Sequence, residues 1–157
     1  MRRLIGIVLV ALAIATSATA ASESAAVVKV AYNAKLHAKI LVNGAGLALY
    51  MYAGDYKNVP ACTADFYNCT TIWPPLLTTG TPKAGAGAKA SMLRTAKRTK
   101  PNGTQVVYAG HLLYTWRGAG GSDPPPDKKP GDVNGQNYNR DWWVLSPAGV
   151  PIKKKAR

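Results

Sequence analysis

Short apolar runs broken by turn residues dominate the chain beyond its first twenty residues, and two of them read as β-hairpins. Residues 35–42 are strand-prone, Asn43-Gly44 supplies a turn, and Leu47 to Tyr52 forms the returning run. Residues 104–108, the Ala109-Gly110 pair and residues 111–116 repeat the pattern. In an extended strand Leu47, Leu49 and Met51 share one face and Tyr50 and Tyr52 the other, so both faces are apolar enough to be covered.

The two hairpins are also alike residue by residue. Laying Tyr50 on Tyr114 superposes Val42 on Val106, Ala45 on Ala109, Gly46 on Gly110 and Leu49 on Leu113, and places Tyr52 on Trp116. Each hairpin is followed by a turn-rich loop and then by tryptophan, in Trp73-Pro74-Pro75-Leu76 and in Trp142-Trp143-Val144-Leu145. The expected fold is therefore mainly β, with two related hairpin-plus-Trp units, about residues 36–80 and 101–152, packed as one small domain. Between them, residues 78–99 are rich in Gly, Ala and Lys and predict a connection with at most one irregular strand or short helix. Residues 118–140 form a long Gly, Pro, Asp and Asn loop.

The start of the chain changes the setting. Arg2 and Arg3 precede an apolar run from Leu4 to Ala15, and Ala18-Thr19-Ala20 has the small-x-small pattern of a signal-peptide cleavage site. Residues 1–20 are thus expected to be removed, leaving a secreted or periplasmic domain over residues 21–157. The run falls well short of the roughly 20 apolar residues that a membrane span needs, and no later segment approaches that length.

Beyond residue 20 the chain carries eighteen Lys and Arg against seven acids, a net charge of +11. Such a charge attracts polyanions, and export makes an anionic envelope polymer the expected partner rather than a specific nucleic acid. Lys153, Lys154, Lys155 and Arg157 form one basic cluster, and Lys83, Lys89, Arg94, Lys97, Arg98 and Lys100 another. The competing reading is that these charges only keep the protein soluble. In an oxidising compartment Cys62 and Cys69 should close a short disulfide loop.

Several motifs resemble a bacterial family of secreted repeats and lipoproteins of unknown function that carries a Tyr-x-(Phe/Trp/Tyr)-x-x-Asp signature. Tyr50-Met51-Tyr52-Ala53-Gly54-Asp55 fits the signature, and Cys62, Cys69 and the Trp73-Pro74-Pro75-Leu76 segment are similar to that family as well. In the second half Gln105 to Gly110, Leu113 to Trp116, Pro130 to Gln136 and Trp142 to Gly149 carry the resemblance. There Ala119 stands where the signature has its acid, and Asp127 takes that role after an insertion from Ala119 to Pro126. The resemblance implies a bacterial envelope or extracellular setting and a repeat architecture, without an established activity. The lipid-bearing cysteine of many relatives is absent. It marks Tyr50, Tyr52, Asp55, Tyr114, Trp116 and Asp127 as the motif-based candidate binding residues.

Residue chemistry points away from an enzyme. Glu23 is the one glutamate, so acid and base catalysis would fall to six aspartates. Asp55, just beyond a strand, suits a carboxylate that accepts bonds from turn amides or a phenol. An alternative is a metal- or redox-handling protein or enzyme using Asp55, His37 and His111, with Met51, Met92 or a cysteine nearby. Calcium at Asp123, Asp127, Asp132 and Asn134 fails the EF-hand pattern and meets Lys128 and Lys129. No Gly-x-Ser-x-Gly or phosphate-binding Gly-rich loop occurs, and neither a cofactor nor a metal is expected. The rings of Tyr50, Tyr52, Tyr114, Trp116, Trp142 and Trp143 could stack on sugars or fill the core of a domain that has a single Phe.

Overall fold

A computed structural model describes residues 25–156, and the expected signal segment 1–20 lies outside the described residues. The fold is mainly β, assembled from three small sheets. Strands β1 (Val27–Asn33) and β2 (Ala38–Asn43) pair antiparallel, and the two-residue β4 (Lys83–Ala84) lies parallel to β1. Strands β5 (Leu93–Thr99), β6 (Asn102–Tyr108) and β7 (His111–Leu112) form a meander. The third sheet pairs β3 (Tyr50–Tyr52) with β8 (Trp142–Val144), elements from opposite ends of the chain. Among the described residues the one α-helical turn, α1, is Cys69–Ile72. No helix among the described residues is long and apolar enough to cross a membrane.

The second predicted hairpin forms as its residues suggest. Ala109 and Gly110 both have positive φ, the requirement of a type I′ turn, and Val107 pairs with Leu112 and Tyr108 with His111. The first differs. The main partner of β2 is β1, a strand that the sequence reading passed over, and the chain turns back through three residues, Gly44 to Gly46, rather than two. The Asn43 side chain accepts the amides of Ala45 and Leu47, and Gly46, not Gly44, takes the left-handed conformation. Only a short pairing follows, with Leu49 N–H donating to Leu41, before β3 leaves for β8.

Residues 78–99 also hold more structure than expected, because β5 is a regular seven-residue strand. Its sequence, LRTAKRT, hides the strand because it lies at a sheet edge, where charged side chains are tolerated and buried apolar positions are few.

Adjacent residues of the inner strands divide between two apolar clusters. Ile40, Val42, Tyr50, Val107, Leu112 and Val144 belong to one, with Trp73, Trp116 and Trp142. Leu41, Leu49, Met51, Val106, Leu113 and Leu145 belong to the other, with Tyr108 and Trp143. The period of two along a strand therefore covers both faces, as the Leu47-to-Tyr52 pattern predicts. Trp73 and Trp142 stack with ring centroids 3.9 Å apart, and Trp116 packs 4.4 Å from Trp73.

Gly135 lies against these indoles, where an added Cβ would come within 2.5 Å of Trp73 and 2.9 Å of Trp116. Gly135→Ala should lower the unfolding free energy by about 1–3 kcal/mol through overpacking, as read from denaturant unfolding. An unchanged midpoint would mean that the indole cluster is looser than described.

Candidate functional site

The signature residues are mostly interior. Tyr50, Tyr114, Trp116 and Asp127 are buried, whereas Tyr52 and Asp55 are half-buried. Tyr50 and Tyr114 meet on neighbouring extended segments and exchange both backbone N–H···O=C bonds, each at 2.9 Å. Both side chains enter the same apolar cluster, yet their phenols reach different aspartates. The Tyr50 phenol donates to Asp127 at 2.7 Å, and the Tyr114 phenol donates to Asp55 at 2.9 Å.

Each tyrosine of one half thus reaches the aspartate of the other. The surroundings correspond too. Asp127 also accepts the amide of Asn134 at 2.8 Å, and Asp55 that of Ala61 at 2.8 Å. Tyr50 pairs with Val144, and Tyr114 with Pro75. Buried Asn33, on β1, donates to the Gly131 carbonyl beyond Asp127, while buried Arg98, on β5, donates to the Cys62 carbonyl beyond Asp55.

Burial sets the electrostatics of these pairs. Desolvation lifts both aspartates above the ordinary carboxylate range, against the Ala61 and Cys62 amides, the Tyr114 phenol and the Arg98 guanidinium at Asp55. At Asp127 the opposing groups are the Tyr50 phenol, the Asn134 amide and Lys35. Both phenols are pushed above their ordinary value, first by burial and then by the facing aspartate. Such groups act as donors and acceptors for one another, not as an accessible acid or base.

Other candidates are dispersed. Cys62 and Cys69 form the expected disulfide. His37 lies exposed in the β1–β2 turn with positive φ, and half-buried His111 opens β7, where burial lowers its pKa. Among the described residues no three His, Cys, Asp or Glu side chains gather as metal ligands. In the long loop Asp127 accepts from Tyr50 and Asn134, Asp132 from the Lys128 and Lys129 amides, and Asp123 from Tyr138.

The basic tract does not act as a unit. Arg98 is only 3 % exposed and binds Gln105, Cys62 and Lys100, while Lys100 forms a 2.6 Å ion pair with Asp65. Arg94 and Lys97 stay exposed on β5. They line two adjoining hollows that share Thr104, one of about 590 Å³ with Thr81 and Thr95, the other of about 360 Å³ with Thr99 and Asn102. Neither lining contains an acid. A separate cleft of about 340 Å³ has the opposite character, lined by aromatic rings and Asp141 with no Lys or Arg. Sequence reasoning missed both places, because the first needs the β5–β6 register and the second joins residues 52–73 to residues 138–142.

Tyr50→Phe and Tyr114→Phe should each cost about 1–3 kcal/mol at neutral pH, the larger loss at Tyr50, because a buried or part-buried carboxylate loses a donor. Because the folded-state aspartate values are raised, their contribution to stability is present in acid and lost as pH rises through those values. The penalty of each substitution should therefore shrink as pH falls through the raised aspartate values, before the ordinary aspartate range is reached, and a penalty constant across pH would contradict carboxylates that are ionised at neutral pH. No protein-family model, curated protein or solved structure matches this chain.

Proposed function

We propose that the protein is an exported, non-catalytic binding module of the cell envelope whose β5 surface holds an anionic polymer. The observation that carries this reading is the pair of acid-free hollows along β5, where Arg94 and Lys97 stand among threonine hydroxyls and the Asn102 amide. Cations beside neutral donors suit phosphate or carboxylate groups repeated along a chain. Lys100–Asp65 is the one ion pair among the described residues, so most of the basic side chains are not neutralised by a carboxylate partner. The disulfide and the basic composition suit an oxidising, extracytoplasmic setting.

The same reading takes the two halves as copies of one unit whose Tyr–Asp pairs are exchanged. Reciprocal bonding of Tyr50 with Asp127 and of Tyr114 with Asp55 supports it. On this view the signature motif builds the scaffold, and the surfaces outside it bind.

Retention on immobilised heparin, used as a generic polyanion, should fall steeply with salt. Arg94→Ala with Lys97→Ala should weaken it and lower the salt slope by about one per removed cation. Retention that is insensitive to salt, or unchanged in the double variant, would overturn the reading.

A further inference from the structure

Exposed aromatic surface lines a cleft that the polyanion reading does not use. The cleft between the disulfide loop and the Tyr138–Arg140 turn is lined by Tyr52, Phe66, Tyr67, Tyr138, Asp141 and Trp142, among others. Its floor is rigid, since Tyr52 stacks on Trp142 at 4.5 Å and 17°, and Trp142 on Trp73 in parallel planes. Its outer wall is Phe66 and Tyr67, packed edge to face at 5.0 Å.

Tyr67 is 85 % exposed and has a φ of 47°, a left-handed conformation that a bulky residue seldom adopts. Across the cleft Asn139 is also left-handed, with φ 49°. Asparagine tolerates this conformation, whereas the strained backbone at Tyr67 persists only where the surroundings enforce it. Here the Cys62–Cys69 bridge closes the loop that carries Phe66 and Tyr67, reducing the freedom that loop would otherwise have.

The polar lining narrows the ligand. Asp141 and Asn139 make no side-chain hydrogen bond to any described residue, and no Lys or Arg lines the cleft. A carboxylate that only accepts, a carboxamide that accepts and donates, and the Tyr52 and Tyr138 phenols match a ring bearing several hydroxyls. Aromatic faces match the C–H face of such a ring, and a volume of about 340 Å³ admits a small ligand. An anion would meet Asp141 with no cation in the lining to offset it. We infer that this cleft is a binding site for a neutral carbohydrate, one sugar ring stacking on the exposed aromatic wall while Asp141 and Asn139 take its hydroxyls. The site is independent of the β5 surface and differs from it in chemistry.

The test is titration of the protein with neutral N-acetylglucosamine and glucose oligomers, followed by tryptophan fluorescence and calorimetry at high salt, where polyanion binding is screened. Saturable binding of either oligomer is expected. Tyr67→Ala should weaken it about tenfold and Asp141→Asn several-fold, whereas Arg94→Ala with Lys97→Ala should leave it unchanged. Because Tyr67 is exposed, its removal should leave the unfolding midpoint in place, which separates a binding defect from misfolding. Absence of saturable binding by both oligomers, binding undiminished in Tyr67→Ala, or saturation only by a quaternary ammonium would overturn the assignment. None of these results bears on heparin retention at low salt.

Discussion

Two phenol–carboxylate bonds, one buried and one part-buried, crossed between the halves of the chain, are the constraint around which the remaining structure is arranged. A buried carboxylate is costly unless its lone pairs meet donors, and each aspartate here has a phenol from the opposite half and an amide from its own loop. Removing either half would strand the carboxylate of the other. The backbone pair between Tyr50 and Tyr114 sits between the two bonds, so register, side-chain direction and loop position are fixed together. The indole stack of Trp73 and Trp142 joins the halves a second time through purely apolar contact.

This arrangement divides the charges of the molecule. Asp55, Asp127, Arg98 and Gln105 are consumed in the interior or near it, where they accept and donate within the fold. Arg94 and Lys97 face outward on an edge strand, while Asp141 stands alone beside aromatic rings. Two surfaces of opposite character result, and on the proposed reading they address different groups of an envelope polymer: one its charges, the other its sugar rings. An interior held by exchanged bonds keeps both at fixed separation.

Legibility in the sequence followed the physics of each element. The Ala109-Gly110 hairpin was readable because its turn type needs two residues of positive φ and strand-prone runs flank it. The Cys62–Cys69 bridge was readable from the presence of only two cysteines in a chain read as exported. The alternation of Leu49, Tyr50 and Met51 between the two apolar clusters followed from period two alone. Strand β1, VVKVAYN, carries the β-branched residues of a strand and buries Val28, whereas the edge strand β5 was not legible, since its stability comes from backbone pairing with β6 rather than from a clear apolar pattern. Asp55 was legible as an acceptor from turn amides or a phenol, yet its donor, Tyr114, lies 59 residues away, a pairing that only the crossed topology creates. Burial of Arg98 within a run of exposed cations was equally hidden, because it depends on carbonyls from Cys62 and Lys100.

The dependence of each half on the other can be measured by producing residues 25–89 and 90–156 as separate chains, cut at the exposed Lys89–Ala90 link. Neither chain should unfold cooperatively alone, and mixing them should restore a single cooperative transition together with the near-ultraviolet dichroism of packed tryptophan. A half that melts cooperatively by itself, with its tyrosine and aspartate unpaired, would contradict the crossed bonds as the organising constraint.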